Sequence, residues 1–179
     1  VNIASSVNVT CDGGNDGSAT AIASQGTPPY TYLWDDPGAQ TTASATGLVV
    51  GTYTINVTDT SGCFATDIIT ITSPPAMALS FTGSDAICTG ICEGNASASV
   101  SNGNSPFTYL WDDSGAQTNA NATGLCSGTY NMTVTDVLGC IANASTTLSS
   151  GPGITASLTG LTNTGCGICI GDATIAISG

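Results

Sequence analysis

Apolar and polar side chains alternate one for one along several short segments of this chain. In residues 52–58, Tyr53, Ile55 and Val57 fall on one face and Thr54, Asn56 and Thr58 on the other. Further on, Tyr130, Met132 and Val134 alternate with Asn131, Thr133 and Thr135. Ala96, Ala98 and Val100 oppose Ser97, Ser99 and Ser101, and Ala173, Ile175 and Ile177 keep that phase. A period of two belongs to a strand with one face packed and the other wet. The segments are rich in Thr, Val, Ile and Tyr, and Gly, Asn, Asp and Pro close them with turns. No stretch carries the helical period, so the pattern predicts an all-β chain. Leu48-Val49-Val50-Gly51-Thr52-Tyr53 predicts a tyrosine corner, its phenol bonding back to the preceding backbone. Trp34 and Trp111 each end an early strand. There an indole fills the space between two sheets or, on a second reading, stands exposed as a sugar-stacking platform.

The alternating segments recur because the sequence itself recurs. Thr31-Tyr-Leu-Trp-Asp-Asp36 returns as Thr108-Tyr-Leu-Trp-Asp-Asp113, a displacement that takes Trp34 to Trp111. The same displacement carries Cys11 to Cys88, Tyr53 to Tyr130, Asp59 to Asp136 and Cys63 to Cys140, with no gap. Residues 171–179 open a third copy, matching residues 94–102, and the Tyr-Leu-Trp stretch is not reached. Pro74-Pro75 and Gly151-Pro152-Gly153 mark the junctions. The expected organisation is a β-sandwich repeat over 1–75, a second over 76–153, and an incomplete third of about two strands over 154–179. About seven short strands per repeat would build tandem immunoglobulin-like sandwiches.

Composition narrows the chemistry. The chain has 179 residues, twelve Asp and Glu, and no Lys, Arg or His, for a formal charge of −12. Electrostatic binding of nucleic acid, which rests on Lys and Arg, is excluded, as is a polybasic lipid anchor. The His and Lys of general-base, Schiff-base and His-ligated metal chemistry are missing. No run of 18 apolar residues could cross a membrane as a helix. No basic-then-apolar leader opens the chain, and Val1 reads as the start of a processed or trimmed polypeptide.

Eight Cys supply the strongest covalent signal. Cys11 and Cys63 occupy the same places in the first repeat as Cys88 and Cys140 in the second, which predicts one disulfide within each repeat. Cys92 and Cys126, extra to the second repeat, are expected to pair with each other. Cys166 and Cys169 resemble Cys88 and Cys92 with one residue deleted, and a zinc site is their competing reading. Disulfides place a chain in an oxidising compartment, outside the cell or on its surface.

The run Cys11, Asp16-Gly17, Gly26, Pro29-Tyr-Thr-Tyr-Leu-Trp34, Leu48, Gly51-Thr-Tyr53, Val57-Thr-Asp59 and Gly62-Cys63 resembles the SprB repeat. That family occurs in very large surface adhesins of gliding Bacteroidota and in related secreted proteins. The second repeat matches similarly, with Phe107 for the first Tyr. The resemblance implies a secreted or cell-surface tandem β-sandwich protein with structural or adhesive duty and no catalytic site.

The remaining candidate chemistry is acidic. Asp12 and Asp16 crowd one Gly-rich loop, while Asp35-Asp36 and Asp112-Asp113 follow the tryptophans. Such loops either terminate strands or gather oxygen ligands for calcium, the one cofactor the sequence suggests. Adjacent carboxylates on a strand face opposite ways, which argues against a glycosidase pair and against an enzyme. The third copy offers an apolar face (Ile154, Leu158, Ala173, Ile175, Ile177) with no sandwich over it. An open edge invites pairing, so these residues are expected polymer contacts in a head-to-tail homopolymer. The expected function is a segment or subunit of an extracellular filament, the alternative an adhesin module binding polysaccharide or another cell.

Overall fold

The computed structural model describes residues 1–87, 90–151, 155–161 and 173–178, all strand, turn and loop. The first repeat contributes β1 (Asn2–Val7), β2 (Gly17–Ile22), β3 (Thr31–Trp34), β4 (Ser44–Leu48), β5 (Gly51–Thr58) and β6 (Phe64–Ile71). They form two three-stranded sheets, ordered β1-β2-β4 and β3-β5-β6. The second repeat contributes β7 (Ala78–Ser84), β8 (Gly94–Ser101), β9 (Thr108–Trp111), β10 (Asn121–Leu125), β11 (Gly128–Thr135) and β12 (Ile141–Leu148). Its sheets, β10-β8-β7 and β12-β11-β9, repeat the same order. The fold is a tandem immunoglobulin-like β-sandwich. Among the described residues each repeat has six strands, against the expected seven or so. The chain between β3 and β4 is wrapped around a buried Asp36 and adds no further strand.

The first core draws on both sheets: Ala19, Ala21, Ala45 and Leu48 from one, Trp34, Tyr53, Ile55, Val57 and Ile71 from the other. Trp34 is 1% exposed. The opposing sheet carries alanines, whose small side chains leave room for an indole at interior packing density. Its Nε1–H donates to the Thr42 carbonyl at 3.0 Å, so the buried polar edge is satisfied. In the second repeat Trp111 is likewise 1% exposed and donates to the Asn119 carbonyl, and Phe81 packs on it at 5.7 Å between ring centroids. Both indoles are core residues, so the stacking-platform reading does not apply to them. Gly17 allows the two sheets to close at one end. A Cβ there would meet the Leu48 carbonyl at 2.7 Å and the Ile71 methyl at 2.9 Å.

By its contacts the chain gathers into two compact units. One comprises Val1–Leu79, Val100–Thr108 and Thr133–Ala142. The other comprises Ser80–Ser99, Tyr109–Met132 and the chain from Asn143 onward. β13 (Thr155–Leu161) and β14 (Ala173–Ser178) form a separate antiparallel two-stranded sheet, pairing Thr155 with Ser178 and Leu161 with Ala173.

Candidate functional site

The cysteines depart from the expected pairing. Cys11 is bonded to Cys140, with Cα atoms 5.5 Å apart, and Cys63 is free and exposed. The predicted Cys11–Cys63 bond does not form, and neither can Cys140 bond Cys88. The reason lies in strand direction. The loop after β1 is tied to the end of β6, because Val9 N–H donates to the Thr72 carbonyl at 3.2 Å and Thr72 N–H to Asn8 Oδ1 at 2.9 Å. That is the end where Gly51 of β5 pairs with Ile71. Cys63 sits at the opposite end, in the turn beyond the Thr58–Phe64 pair. Seven residue steps of strand, roughly 24 Å at about 3.4 Å each, separate the two ends. A disulfide spans at most about 7 Å between Cα atoms. Cys92 and Cys126 are bonded to each other. Cys88, Cys166 and Cys169 lie outside the described residues.

Each turn that presents a β5–β6-type cysteine is organised by one aspartate. Asp59 Oδ1 accepts from Ser61 N–H and Cys63 N–H, each at 2.9 Å, and Oδ2 from Thr27 N–H at 3.0 Å. Asp136 does the same: Oδ1 accepts from Leu138 N–H and Cys140 N–H at 2.9 Å, and Oδ2 from Asn104 N–H at 3.1 Å. The Thr27 and Cys63 amides hold the Asp59 carboxyl below its ordinary range. At Asp136 burial pushes the pKa up, but the Cys140 and Asn104 donors outweigh it and the net shift is downward. The signal was present in sequence as Asp-x-x-Gly-Cys at 59–63 and 136–140. In the sequence these aspartates stand out only as equivalent positions of the two repeats. Around the bonded cysteine the turn is covered: Cys140 Sγ lies 3.6 Å from the Thr10 carbonyl oxygen, Cys140 is half-buried and Asp136 is 6% exposed. Around Cys63 the same turn is open. Cys63 is exposed and Asp59 only half-buried.

The candidate calcium residues are placed separately. Asp16 accepts the Thr10 hydroxyl and, at 2.9 Å, Thr10 N–H, which together lower its pKa, while Asp12 accepts the Ser73 hydroxyl at 3.1 Å. Asp35 Oδ1 accepts Thr54 N–H at 2.7 Å. Asp112 Oδ1 accepts Asn131 N–H at 2.7 Å, and its Oδ2 accepts the Asn131 amide at 2.6 Å. Asp36 is buried and accepts from Gly38 N–H, Gln40 N–H and Gln40 Nε2–H at 2.9–3.0 Å. Burial raises its pKa, but the Gln40 and Gly38 donors prevail and lower it. Asp113 has the equivalent three donors in the second repeat, from Gly115 and Gln117, and Gln117 N–H leads the lowering of its pKa. Among the described residues no three acidic or cysteine side chains gather into a metal-binding group. These carboxylates organise loops, each with its own backbone or side-chain donors.

Of the expected polymer contacts, Ile175 and Ile177 lie on β14 and are 65% and 71% exposed. Leu158 and Ala173 lie on β13 and β14, and Ile154 falls outside the described residues.

The chain is an all-β protein of two sequence repeats that carries two disulfides among its described residues. Within it, residues 3–39 match the SprB repeat family model, the family that the motifs of both repeats resemble. No curated protein matches the chain. Among solved structures, a Dscam structure described as "Structural basis for Dscam isoform specificity" is 13% identical, with 84% of this chain and 47% of that chain covered and a TM-score of 0.35. The chain thus spans about half the length of that structure. The amphioxus IgVJ-C2 molecule is 12% identical, with 80% and 99% covered and a TM-score of 0.34. Domains 4–9 of the surface layer protein SbsC are 12% identical, with 89% and 33% covered and a TM-score of 0.29.

Proposed function

We propose that the chain is a non-enzymatic structural segment of an extracellular or cell-surface filament built from disulfide-stapled β-sandwich repeats. The observation that carries this reading is the Cys11–Cys140 bond, which joins a cysteine of one sequence repeat to a cysteine of the next. A covalent link between successive repeats resists extension, a property useful in a load-bearing array and of little use in a free-standing domain. The hydroxyl-rich outward faces of the strands keep such an array wet without cations. Oxidised cysteines suit an address outside the cytoplasm.

The repeat borders at 75 and 153 and the third, two-stranded repeat fit the same reading. Ile175 and Ile177 of β14 stand uncovered, and a neighbour could pair with the edges of β13 and β14 by strand addition. Polysaccharide adhesion is the competing role. It lacks the aromatic platform that Trp34 and Trp111 would have supplied, since both are buried. Electron microscopy of native secreted material tests the proposal. Filaments with a regular repeat support it. Dispersed short particles that bind on a glycan array favour adhesion.

A further inference from the structure

We propose that Cys63 is a covalent linking site. It takes a disulfide from a cysteine at the Cys11 position of an SprB-type repeat on its N-terminal side. The argument rests on two independent observations. Cys63 is exposed and free, held in a turn that Asp59 shapes through three backbone donors. The equivalent cysteine of the second repeat, Cys140, stands in the same turn, shaped by Asp136 through the same three donor positions, and is bonded to Cys11. One geometry therefore occurs twice, once with its partner and once without.

The difference in cover follows the bond. Asp136 is 6% exposed and Cys140 half-buried where the Thr10–Cys11 loop reaches them, whereas Asp59 is half-buried and Cys63 exposed. The partner's chemistry is equally defined. In Cys11 it is a thiol borne on a loop braced by hydrogen bonds from Thr10 N–H to Asp16 and from Gly14 N–H to the Cys11 carbonyl. Such a loop belongs either to an earlier repeat of the same polypeptide or to a second copy of the chain. The link deepens the filament reading, on which it rests, by naming the atoms that join successive repeats.

The chemistry is thiol–disulfide exchange. The Cys63 thiolate attacks a low-molecular-weight disulfide, forming a mixed disulfide and releasing one small thiol. The partner thiolate then displaces the second small thiol and forms the protein disulfide. Two protein thiols are oxidised and one small disulfide is reduced to two thiols, so two electrons and two protons are accounted for.

Native secreted material is alkylated without reduction and digested with chymotrypsin, since trypsin has no site in this chain, and the Cys63 peptide is sequenced with its partner. Cys63 joined to a Cys11-type loop from before Val1 or from another copy is the expected result. A ladder on a non-reducing gel that collapses on reduction assigns the partner to another copy, and a single band assigns it to the same polypeptide. A Cys63→Ser variant should lose that linked peptide completely while keeping Cys11 bonded to Cys140. Cys63 recovered alkylated, joined to another Cys63, or joined to any other cysteine of its own residues 1–179 overturns the inference. Filaments that persist with Cys63 alkylated overturn the link and leave the filament reading standing, whereas a Cys63 link in material without filaments does the reverse.

Discussion

Replacing Asp36 by Ala would leave the N–H groups of Gly38 and Gln40 and the Gln40 side-chain amide without their acceptor. Asp36 is buried, but Gly38 is exposed and Gln40 half-buried, so water replaces part of what is lost and a cost of about 1 kcal/mol is expected. Asn, which keeps one acceptor oxygen, should recover part of it; urea unfolding of both variants checks the order. The same residues set the pH response. Asp16, Asp36, Asp59, Asp67, Asp113 and Asp136 all have pKa values lowered in the folded chain. A carboxylate with a depressed folded pKa adds stability above its unfolded pKa, about 3.9, and loses it as pH falls through the folded value. The urea midpoint should therefore hold steady from pH 7 to about pH 5 and fall progressively below about pH 4. A midpoint at pH 3 equal to that at pH 6 would contradict the lowered values.

At the scale of elements, the tyrosine corner was legible and proved as read. The Tyr53 hydroxyl donates to the Val49 carbonyl at 3.1 Å, and Tyr130 donates to the Cys126 carbonyl at 3.1 Å. Tyr53→Phe removes that bond alone and should cost about 1 kcal/mol, read as a lower melting temperature with unchanged β-sheet circular dichroism. The strands were legible because period-two alternation survives even where side chains are small, as in Ala96–Ala98–Val100. The disulfide partners were not legible from the repeat. The translation that takes Trp34 to Trp111 also takes Cys63 to Cys140, so bonding within a repeat and bonding to the next repeat satisfy the sequence pattern equally. What separates them is the length of the β5–β6 hairpin, which carries Cys63 to the far end from the Cys11 loop. The arrangement of the acidic loops was not legible for a related reason. Asp35-Asp36 and Asp112-Asp113 look like clustered ligands in sequence, yet within each pair the first residue binds across to β5 or β11 and the second folds back on its own loop.

At the scale of the whole molecule, the covalent links and the charge act on different states. Cys11–Cys140 closes a sequence separation of 129 residues and Cys92–Cys126 one of 34. Restricting the unfolded chain is worth roughly 5 and roughly 4 kcal/mol for loops of these sizes. Cys140→Ser should therefore destabilise more than Cys126→Ser, and the order of their denaturant midpoints tests it. The charge acts on the folded chain. At −12 with no side-chain cation, compaction brings carboxylates together and no side-chain ion pair offsets them, although the Val1 ammonium attracts Asp67. Screening then mainly relieves repulsion, because there is no side-chain salt bridge for salt to weaken. Melting temperature should rise steadily as sodium chloride goes from 10 mM to 0.5 M. Millimolar calcium and magnesium, compared at equal ionic strength, separate screening from binding. Equal effects follow if the aspartates only shape loops through their backbone donors. A rise specific to calcium would instead require ligands brought together by groups beyond those donors, and would reopen the acidic loops as a metal site.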